Sequence, residues 1–149
     1  MINPFDDTYF MKKALQEAEA ALEKGEVPVG AVIVVENKII ARAHNLTELL
    51  NDVTAHAEMQ AITAAANYLG GKYLKNCTLY VTLEPCQMCA GALYWSQISK
   101  IVYGATDDHR GCKAMGATLH PKTKIEGGVM EEDAAALMKR FFIERRNLN

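Results

Sequence analysis

Apolar residues recur every three or four positions near the start of the chain, and this spacing is typical of an amphipathic helix. The apolar side of that helix carries Phe10, Met11, Ala14, Leu15, Ala18 and Leu22. Asp6 and Asp7 can cap its start, and Gly25 is a suitable stop just past its end. The pattern therefore predicts a first helix between these positions.

Further along, helical and extended patterns alternate. Apolar runs at residues 31–35 and 39–41 flank a polar turn at 36–38, which predicts a β-hairpin, and the runs at 77–83 and 101–103 predict two more strands. Helices are predicted from residue 54 or 55 to about 69, from Pro85 to about Ser96, and from about Glu131 to about Arg146. A loop is expected over residues 107–120. Strands separated by helices predict an α/β fold: a three-layer α/β/α sandwich with a mixed central sheet of about five strands.

The bulk properties fit one ordinary globular domain. The chain has 149 residues, of which 50% are apolar and 23% charged, with no repeat or linker-like tract, so a single domain over residues 1–149 is expected. The N-terminus lacks a signal-peptide pattern, and no apolar run approaches the ~18–20 residues of a membrane span. We therefore expect a cytoplasmic protein without a membrane partner. The net charge of −2 does not by itself indicate a nucleic-acid binder.

Two short segments carry residues suited to metal chemistry. His56 lies two residues before Glu58, and Cys86 and Cys89 follow Pro85. Both segments fall at predicted helix starts, where the helix dipole favours thiolates. Imidazole and thiolate are preferred zinc ligands, and three protein ligands leave a fourth position open for water. The pattern predicts one catalytic Zn²⁺ per subunit, held by His56, Cys86 and Cys89.

Glu58 supplies the remaining chemistry. Zinc lowers the pKa of a bound water from about 15.7 to about 7, so hydroxide is available at neutral pH. A carboxylate beside the metal can move a proton from that water to a ring nitrogen and then to a departing amine. His-x-Glu followed by Pro-Cys-x-x-Cys is a known signature of zinc nucleobase deaminases. Because a spacing of two separates side chains within a helix, this role requires His56 and Glu58 to lie in the first turn.

Two other interpretations of the cysteines must be weighed. In a closed structural zinc site, Cys77 or Cys112 would be the fourth ligand and Glu58 would have no role; the chain would then be a non-enzymatic, zinc-stabilised binding module. In a redox site formed by Cys86 and Cys89, neither His56 nor Glu58 would have a role. Otherwise Cys77 fits a strand interior, and Cys112, His44, His109 and His120 are expected in loops or on the surface.

The sequence resembles the bacterial tRNA-specific adenosine deaminases of the cytidine deaminase-like superfamily. The resemblance rests on the segments at residues 25–32, 52–58 and 79–92, on Asn45 and on the closing segment 141–146, and it covers nearly the whole chain. The family converts adenosine 34, the wobble base of a tRNA anticodon, to inosine, and works as a homodimer. The resemblance implies a tRNA anticodon loop as substrate and a homodimer as the assembly.

The resemblance also implies roles for single residues. It gives the zinc ligands and Glu58 the roles described above, and it implies substrate contacts by Val29, Asn45, Ala57 and Asp107. From the residues alone, Asn45 could merely complete a turn. The last helix adds basic residues near its end and an aromatic pair, Phe141 and Phe142, and the resemblance favours Phe142 as an RNA contact. Periodicity alone places both phenylalanines in the core.

The sequence is also compatible with a second class of substrate. A free nucleobase or nucleoside, guanine before cytosine, would suit the mild acidity of the chain and the pair Tyr94 and Trp95, which resembles the guanine deaminase branch. Val53 replaces the proline usual in the family before Thr-Ala-His-Ala-Glu, and the loop after Asp107 is shorter than expected. These departures concern the substrate and leave the zinc chemistry unchanged.

Overall fold

Helices and strands alternate along the chain much as the hydrophobic pattern predicts. The structure is a computed structural model that describes residues 3–148, and within that range it contains four helices and five strands. Their bounds are α1 Asp7–Glu23, β1 Gly30–Val35, β2 Lys38–His44, α2 Ala57–Leu69, β3 Thr78–Leu83, α3 Gln87–Ser96, β4 Lys100–Ala105, β5 Lys124–Glu126 and α4 Glu131–Leu148.

The five strands form one mixed sheet in the order β2-β1-β3-β4-β5. β1 runs antiparallel to both β2 and β3, whereas β3, β4 and β5 run parallel to one another. The hairpin between β1 and β2 turns at Glu36 and Asn37, whose φ angles of 50° and 60° are typical of a tight two-residue turn. The prediction of a mixed sheet that begins with a hairpin is confirmed.

Each face of the sheet packs against two helices. Ala31 and Ile33 of β1 belong to the apolar cluster that contains Ala61 of α2 and Leu93 of α3. The alternate residues of β1, including Val32, belong to a second cluster, with residues of α1 and α4. Because neighbouring side chains of a strand point to opposite faces, α2 and α3 cover one face and α1 and α4 the other. This is the predicted three-layer sandwich.

The first helix begins and ends where the sequence predicts. Asp6 is its N-cap, and the Asp6 carboxylate accepts a hydrogen bond from the Tyr9 amide at 2.8 Å. Gly25, just past the end of α1, has a φ angle of 76°, which a residue with a side chain adopts only at a cost.

Three predicted details are wrong. Pro85 does not open α3: the Pro85 carbonyl accepts a hydrogen bond from the Cys112 amide at 2.7 Å, Cys86 is the N-cap, and the helix begins at Gln87. α2 begins at Ala57, after a turn in which the Asp52 carboxylate accepts the Thr54 amide at 2.8 Å. β5 lies where no strand was located. No helix in the described part of the chain is long and apolar enough to span a membrane.

Candidate active site

The candidate site residues lie together along one edge of the sheet, where the strands begin or end. β2, β3 and β4 end at this edge and β1 begins there, because β1 is antiparallel to its two neighbours. α2 and α3 start at the same edge, since each follows a strand that ends there. Segments that are far apart in sequence therefore converge, with the positive ends of two helix dipoles directed towards them.

The three predicted metal ligands lie at the starts of these two helices. His56 is the N-cap of α2, Cys86 is the N-cap of α3, and Cys89 lies in the first turn of α3. The His56 Nδ1 atom lies 3.6 Å from Cys86 Sγ and 3.5 Å from Cys89 Sγ, and all three atoms lie within 4.8 Å of one another. Tetrahedral zinc, with Zn–S of about 2.3 Å and Zn–N of about 2.0 Å, requires nitrogen and sulfur about 3.6 Å apart. The donor set therefore fits zinc.

Of the three donor groups, Cys86 is the one whose pKa is shifted towards the metal-binding form, the thiolate. Hydrogen bonding from the Cys89 thiol lowers the pKa of Cys86 to about 4, and the same interaction together with burial raises the pKa of Cys89. Hydrogen bonding to Cys86 raises the pKa of His56. The shifts at Cys89 and His56 favour their protonated forms, so metal binding there would release protons.

Glu58 lies beside the three ligands and is buried, with 3% of its surface exposed. It is in the first turn of α2, as its predicted role requires. Burial raises the pKa of Glu58 to about 7, while a hydrogen bond from its own backbone amide acts in the opposite direction. A carboxyl group that titrates near neutral pH is suited to accepting and returning a proton.

A cavity of about 710 Å³ opens next to Glu58. All five residues expected to contact substrate line it, together with His56, Glu58 and Cys86; the five are Val29, Asn45, Ala57, Asp107 and Phe142. The structure thus brings the predicted substrate contacts and two of the metal ligands around one space.

Two of these lining residues also stabilise turns. Asn45 is buried, and its side chain donates to the Val27 carbonyl and accepts from the Thr47 amide, both at 3.3 Å. The Asp107 carboxylate accepts the amides of His109 at 3.1 Å and Arg110 at 2.9 Å. The turn interpretation of Asn45 therefore holds alongside its place in the cavity.

The aromatic pair of α4 divides between core and surface. Phe141 is buried, with 6% of its surface exposed, whereas Phe142 is 49% exposed and lines the cavity. Periodicity alone placed both in the core, which is wrong for Phe142 because the helix turns that side chain toward the cavity.

The other cysteines and histidines do not join the ligand set within residues 3–148. The Cys112 thiol lies 3.6 Å from a Glu84 carboxylate oxygen, and Cys77 is buried directly before β3. His109 and His120 lie in loops as expected, but His44 is a partly buried residue of β2, where it pairs with Gly30 of β1, and its Nδ1 lies 2.9 Å from a Glu17 carboxylate oxygen. With three candidate ligands and an adjoining cavity, the geometry of the described residues suits an open site better than a closed one.

Sequence reasoning missed two buried carboxylates near the cavity, Glu26 and Glu84. Glu84 directly follows β3 and lines the cavity. A glutamate next to an apolar strand and a metal motif was the available signal for Glu84. Glu26 had none, because its partners come from a loop more than 20 residues away.

Comparison with known proteins places this site in a family. Residues 5–105 match the family described as "Cytidine and deoxycytidylate deaminase zinc-binding region". The tRNA-specific adenosine deaminase of Aquifex aeolicus is 50% identical over 145 residues, which cover 93% of this chain and 95% of that protein.

Solved structures give the same result. A structure from a study of A-to-I editing by tRNA:A34 deaminases at the wobble position of transfer RNA superimposes with a TM-score of 0.82 and 42% identity, over 87% of this chain and 99% of that one. A guanine deaminase from Bacillus subtilis superimposes with a TM-score of 0.64 and 40% identity, over 70% of this chain and 66% of that one. The chain belongs to the zinc-binding cytidine and deoxycytidylate deaminase family, and within it to the tRNA-specific adenosine deaminases.

Proposed function

We propose that this chain deaminates adenosine to inosine at the wobble position, position 34, of tRNA. The observation that carries the proposal is the buried Glu58 beside three zinc ligands at an open cavity, in a chain whose 50% identical relative of nearly equal length is a tRNA-specific adenosine deaminase. The net reaction adds water and releases ammonia, so the exocyclic amine is replaced by a carbonyl oxygen.

His56, Cys86 and Cys89 are the residues proposed to hold zinc, on the strength of their 3.5–3.6 Å nitrogen–sulfur spacing. A zinc ion held by these residues would make a water molecule acidic enough to react as hydroxide at neutral pH. Thiolate character at Cys86 and the dipoles of α2 and α3 favour a cation at this place.

Glu58 is the proposed proton carrier. Its carboxylate accepts a proton from the attacking water and delivers one to the ring nitrogen beside the reacting carbon. It then takes the remaining proton from the hydroxyl group added to that carbon and passes it to the amine, so that ammonia departs as the C–N bond breaks and the carbonyl forms. Burial beside the cavity keeps this carboxyl free of competing bulk water.

The cavity lining supports binding of a base that has left its stack. Asn45 uses only part of its hydrogen-bonding capacity in its turn, so its amide retains a hydrogen and a lone pair for a base edge. Val29 and Ala57 offer apolar walls, Phe142 an exposed ring for stacking, and Asp107 a place beside the nucleotide backbone.

An anticodon loop is the proposed partner, because the described end of α4 carries exposed basic residues beyond Phe142. Arg145 and Arg146 lie there, and Arg110 and Lys113 are exposed on the loop after β4. Local basic groups can contact phosphates although the chain carries a net charge of −2. We further propose that the chain is a single catalytic domain, that it works as a homodimer, and that it acts in the cytoplasm, where tRNA is found.

The test is inosine formation at position 34 of an unmodified tRNA with an adenosine-starting anticodon, with zinc content measured in the same preparation. Conversion by the wild type and not by Glu58→Gln is the expected result. Guanine is the second substrate to assay, because the B. subtilis guanine deaminase shares 40% identity over 70% of this chain. A zinc-loaded protein that converts guanine and leaves the tRNA unchanged would overturn the proposal.

A further inference from the structure

Two buried carboxylates outside the metal centre have no part in the chemistry above. Glu26 is 1% exposed and Glu84 is 3% exposed. Burial of a carboxylate is costly unless its oxygens are hydrogen-bonded, so the partners of such a group indicate what it does.

Glu26 holds the loop that follows β2. Its Oε1 atom accepts the Glu48 amide at 2.9 Å, and its Oε2 atom accepts the Leu49 amide at 2.7 Å. Glu26 itself precedes β1, 22 residues before Glu48. The same loop carries Asn45 and Thr47 into the cavity wall.

Glu84 holds the loop that follows β4. Its Oε1 atom accepts the Asp107 amide at 3.1 Å, and its Oε2 atom accepts the Lys113 amide at 3.0 Å and the Cys112 thiol at 3.6 Å. The fit is close, since a Cβ added at Gly111 would lie 2.5 Å from the Glu84 carboxyl carbon. The bound segment carries Asp107 and Arg110, which line the cavity.

The two loops flank the cavity. β2 and β4 are separated in the sheet by β1 and β3, which places their ends about 14 Å apart at ~4.8 Å per strand. The metal ligands enter between them, from the starts of α2 and α3. The distance between the two loops therefore sets how wide the cavity is above Glu58.

A carboxylate is the group that this arrangement requires. In each case both oxygens accept from backbone amides, and glutamine of the same size would direct an NH₂ group at one of those amides. The loss is one hydrogen bond plus a donor facing a donor in a buried place, without any change in the length of the side chain.

We propose that Glu26 and Glu84 are positioning residues that fix the two cavity-wall loops, and through them substrate affinity and selectivity. The inference rests on the proposed deaminase function. It differs from a purely structural role, in which loss of either carboxylate would lower stability and leave the affinity for substrate as it was.

The test compares Glu26→Gln and Glu84→Gln with the wild type. Amide hydrogen exchange should accelerate about tenfold or more at Glu48 and Leu49 in the first variant, and at Asp107 and Lys113 in the second, while zinc stays at one per chain. With the substrate that the wild type deaminates, KM should rise about tenfold and kcat should fall by less than KM rises. Asp6→Ala is the matched control: it removes a carboxylate that accepts a backbone amide at 2.8 Å in α1, and it should lower the Tm without changing KM.

Other results overturn the proposal. Unchanged exchange at the four amides in the variants would mean that the carboxylates do not hold the loops. If a variant fails to fold, the wild type alone is informative: exchange at these amides at the rates of an unstructured peptide would also mean that the carboxylates do not hold the loops. Faster exchange with an unchanged KM would assign the carboxylates a structural role only. Hydrogen exchange is measured without substrate, so it tests whether Glu26 and Glu84 hold the loops even if the protein does not deaminate tRNA. Failure of the proposed function and failure of this proposal are therefore distinguishable.

Discussion

The position of the Glu58 carboxyl group depends on the backbone conformation at the start of α2. His56 is a helix N-cap with extended dihedral angles, φ −70° and ψ 155°, and Glu58 is the second residue of α2. In the middle of a helix, side chains two positions apart diverge by about 200° in projection. At the helix start, the extended backbone of His56 departs from this helical spacing, and both His56 and Glu58 line the same cavity.

Replacing Glu58 by glutamine should therefore separate chemistry from metal binding. We expect kcat to fall by about 10²–10⁴-fold, the typical contribution of a positioned proton-transfer group, while zinc stays at one per chain and tRNA binding is retained. Steady-state kinetics and metal analysis of the purified variant are the measurements. His56→Ala is the contrasting variant and should lose zinc; metal loss from Glu58→Gln would show that its carboxyl is a ligand instead.

The four cysteines should differ in reactivity once zinc is removed. Burial raises the pKa of Cys77 and raises that of Cys112 to about 11, so at pH 7–8 both remain protonated thiols. Cys86 is only partly buried and lines the cavity. Chelation should therefore expose one fast-reacting thiol to N-ethylmaleimide, counted by intact mass, and Cys86→Ser should abolish it. Equal rates at Cys112 and Cys86 would contradict the assignment.

At the scale of elements, the contact between α1 and β1 is unusually close. A Cβ at Gly30 would lie 2.1 Å from the Ala14 carbonyl oxygen and 2.4 Å from the Ala18 amide nitrogen, both in the backbone of α1. Neither atom can move without displacing the helix. The absence of a side chain at residue 30 is thus what allows α1 to lie on the sheet.

Gly30→Ala should lower the free energy of unfolding by about 1–3 kcal/mol, as expected for an overpacked interior. Urea denaturation, followed by circular dichroism, measures the difference. Gly71→Ala is the control, because a Cβ there has no atom within 4 Å, and it should unfold at nearly the wild-type urea concentration. Equal stability of the two variants would mean that α1 and β1 can move apart to accommodate the added methyl group without loss of stability.

The elements that periodicity predicted are those that bury a continuous apolar face. β5 lacks one: Lys124, Ile125 and Glu126 are all exposed, and only pairing with β4 identifies them as a strand. Pro85 was misplaced for a similar reason, since the Cys112 amide that donates to its carbonyl lies 27 residues later.

In the candidate site, too, features set by local sequence could be predicted and those set by distant partners could not. His56, Glu58, Cys86 and Cys89 could be predicted because local spacing at two helix starts encodes them. The partners of Glu26 and Glu84 could not, since they are backbone amides 22–29 residues away, which carry no side-chain signature; only the position of Glu84 beside the cysteine motif gave a local signal.

At the scale of the whole molecule, large apolar side chains remain on the surface. Val53 is 84% exposed and Trp95 is 77% exposed, and Leu49 and Leu50 are exposed in the loop that Glu26 holds. Exposed apolar groups clustered in one loop are typical of interaction surfaces. They support the proposed homodimer.

Sedimentation equilibrium should accordingly give a mass about twice the 16.4 kDa of the chain. Trp95→Ala should weaken the association, with a larger monomer fraction at micromolar concentration, because a buried aromatic side chain dominates such contacts. Lys122→Ala, a change at an exposed polar position, serves as the control. A wild-type protein that sediments as a monomer at all concentrations would contradict the homodimer.

α4, which forms one wall of the cavity, is synthesised after the segments that carry the candidate metal ligands. Cys89, the last of the three proposed metal ligands along the sequence, precedes Met138 by 49 residues and Phe142 by 53, so the ligand set is synthesised before this part of the cavity wall. A nascent chain whose hairpin, α2, β3 and α3 have assembled already holds all three ligands, although its substrate cavity still lacks one wall. The proposed metal site can thus form before α4 completes the cavity.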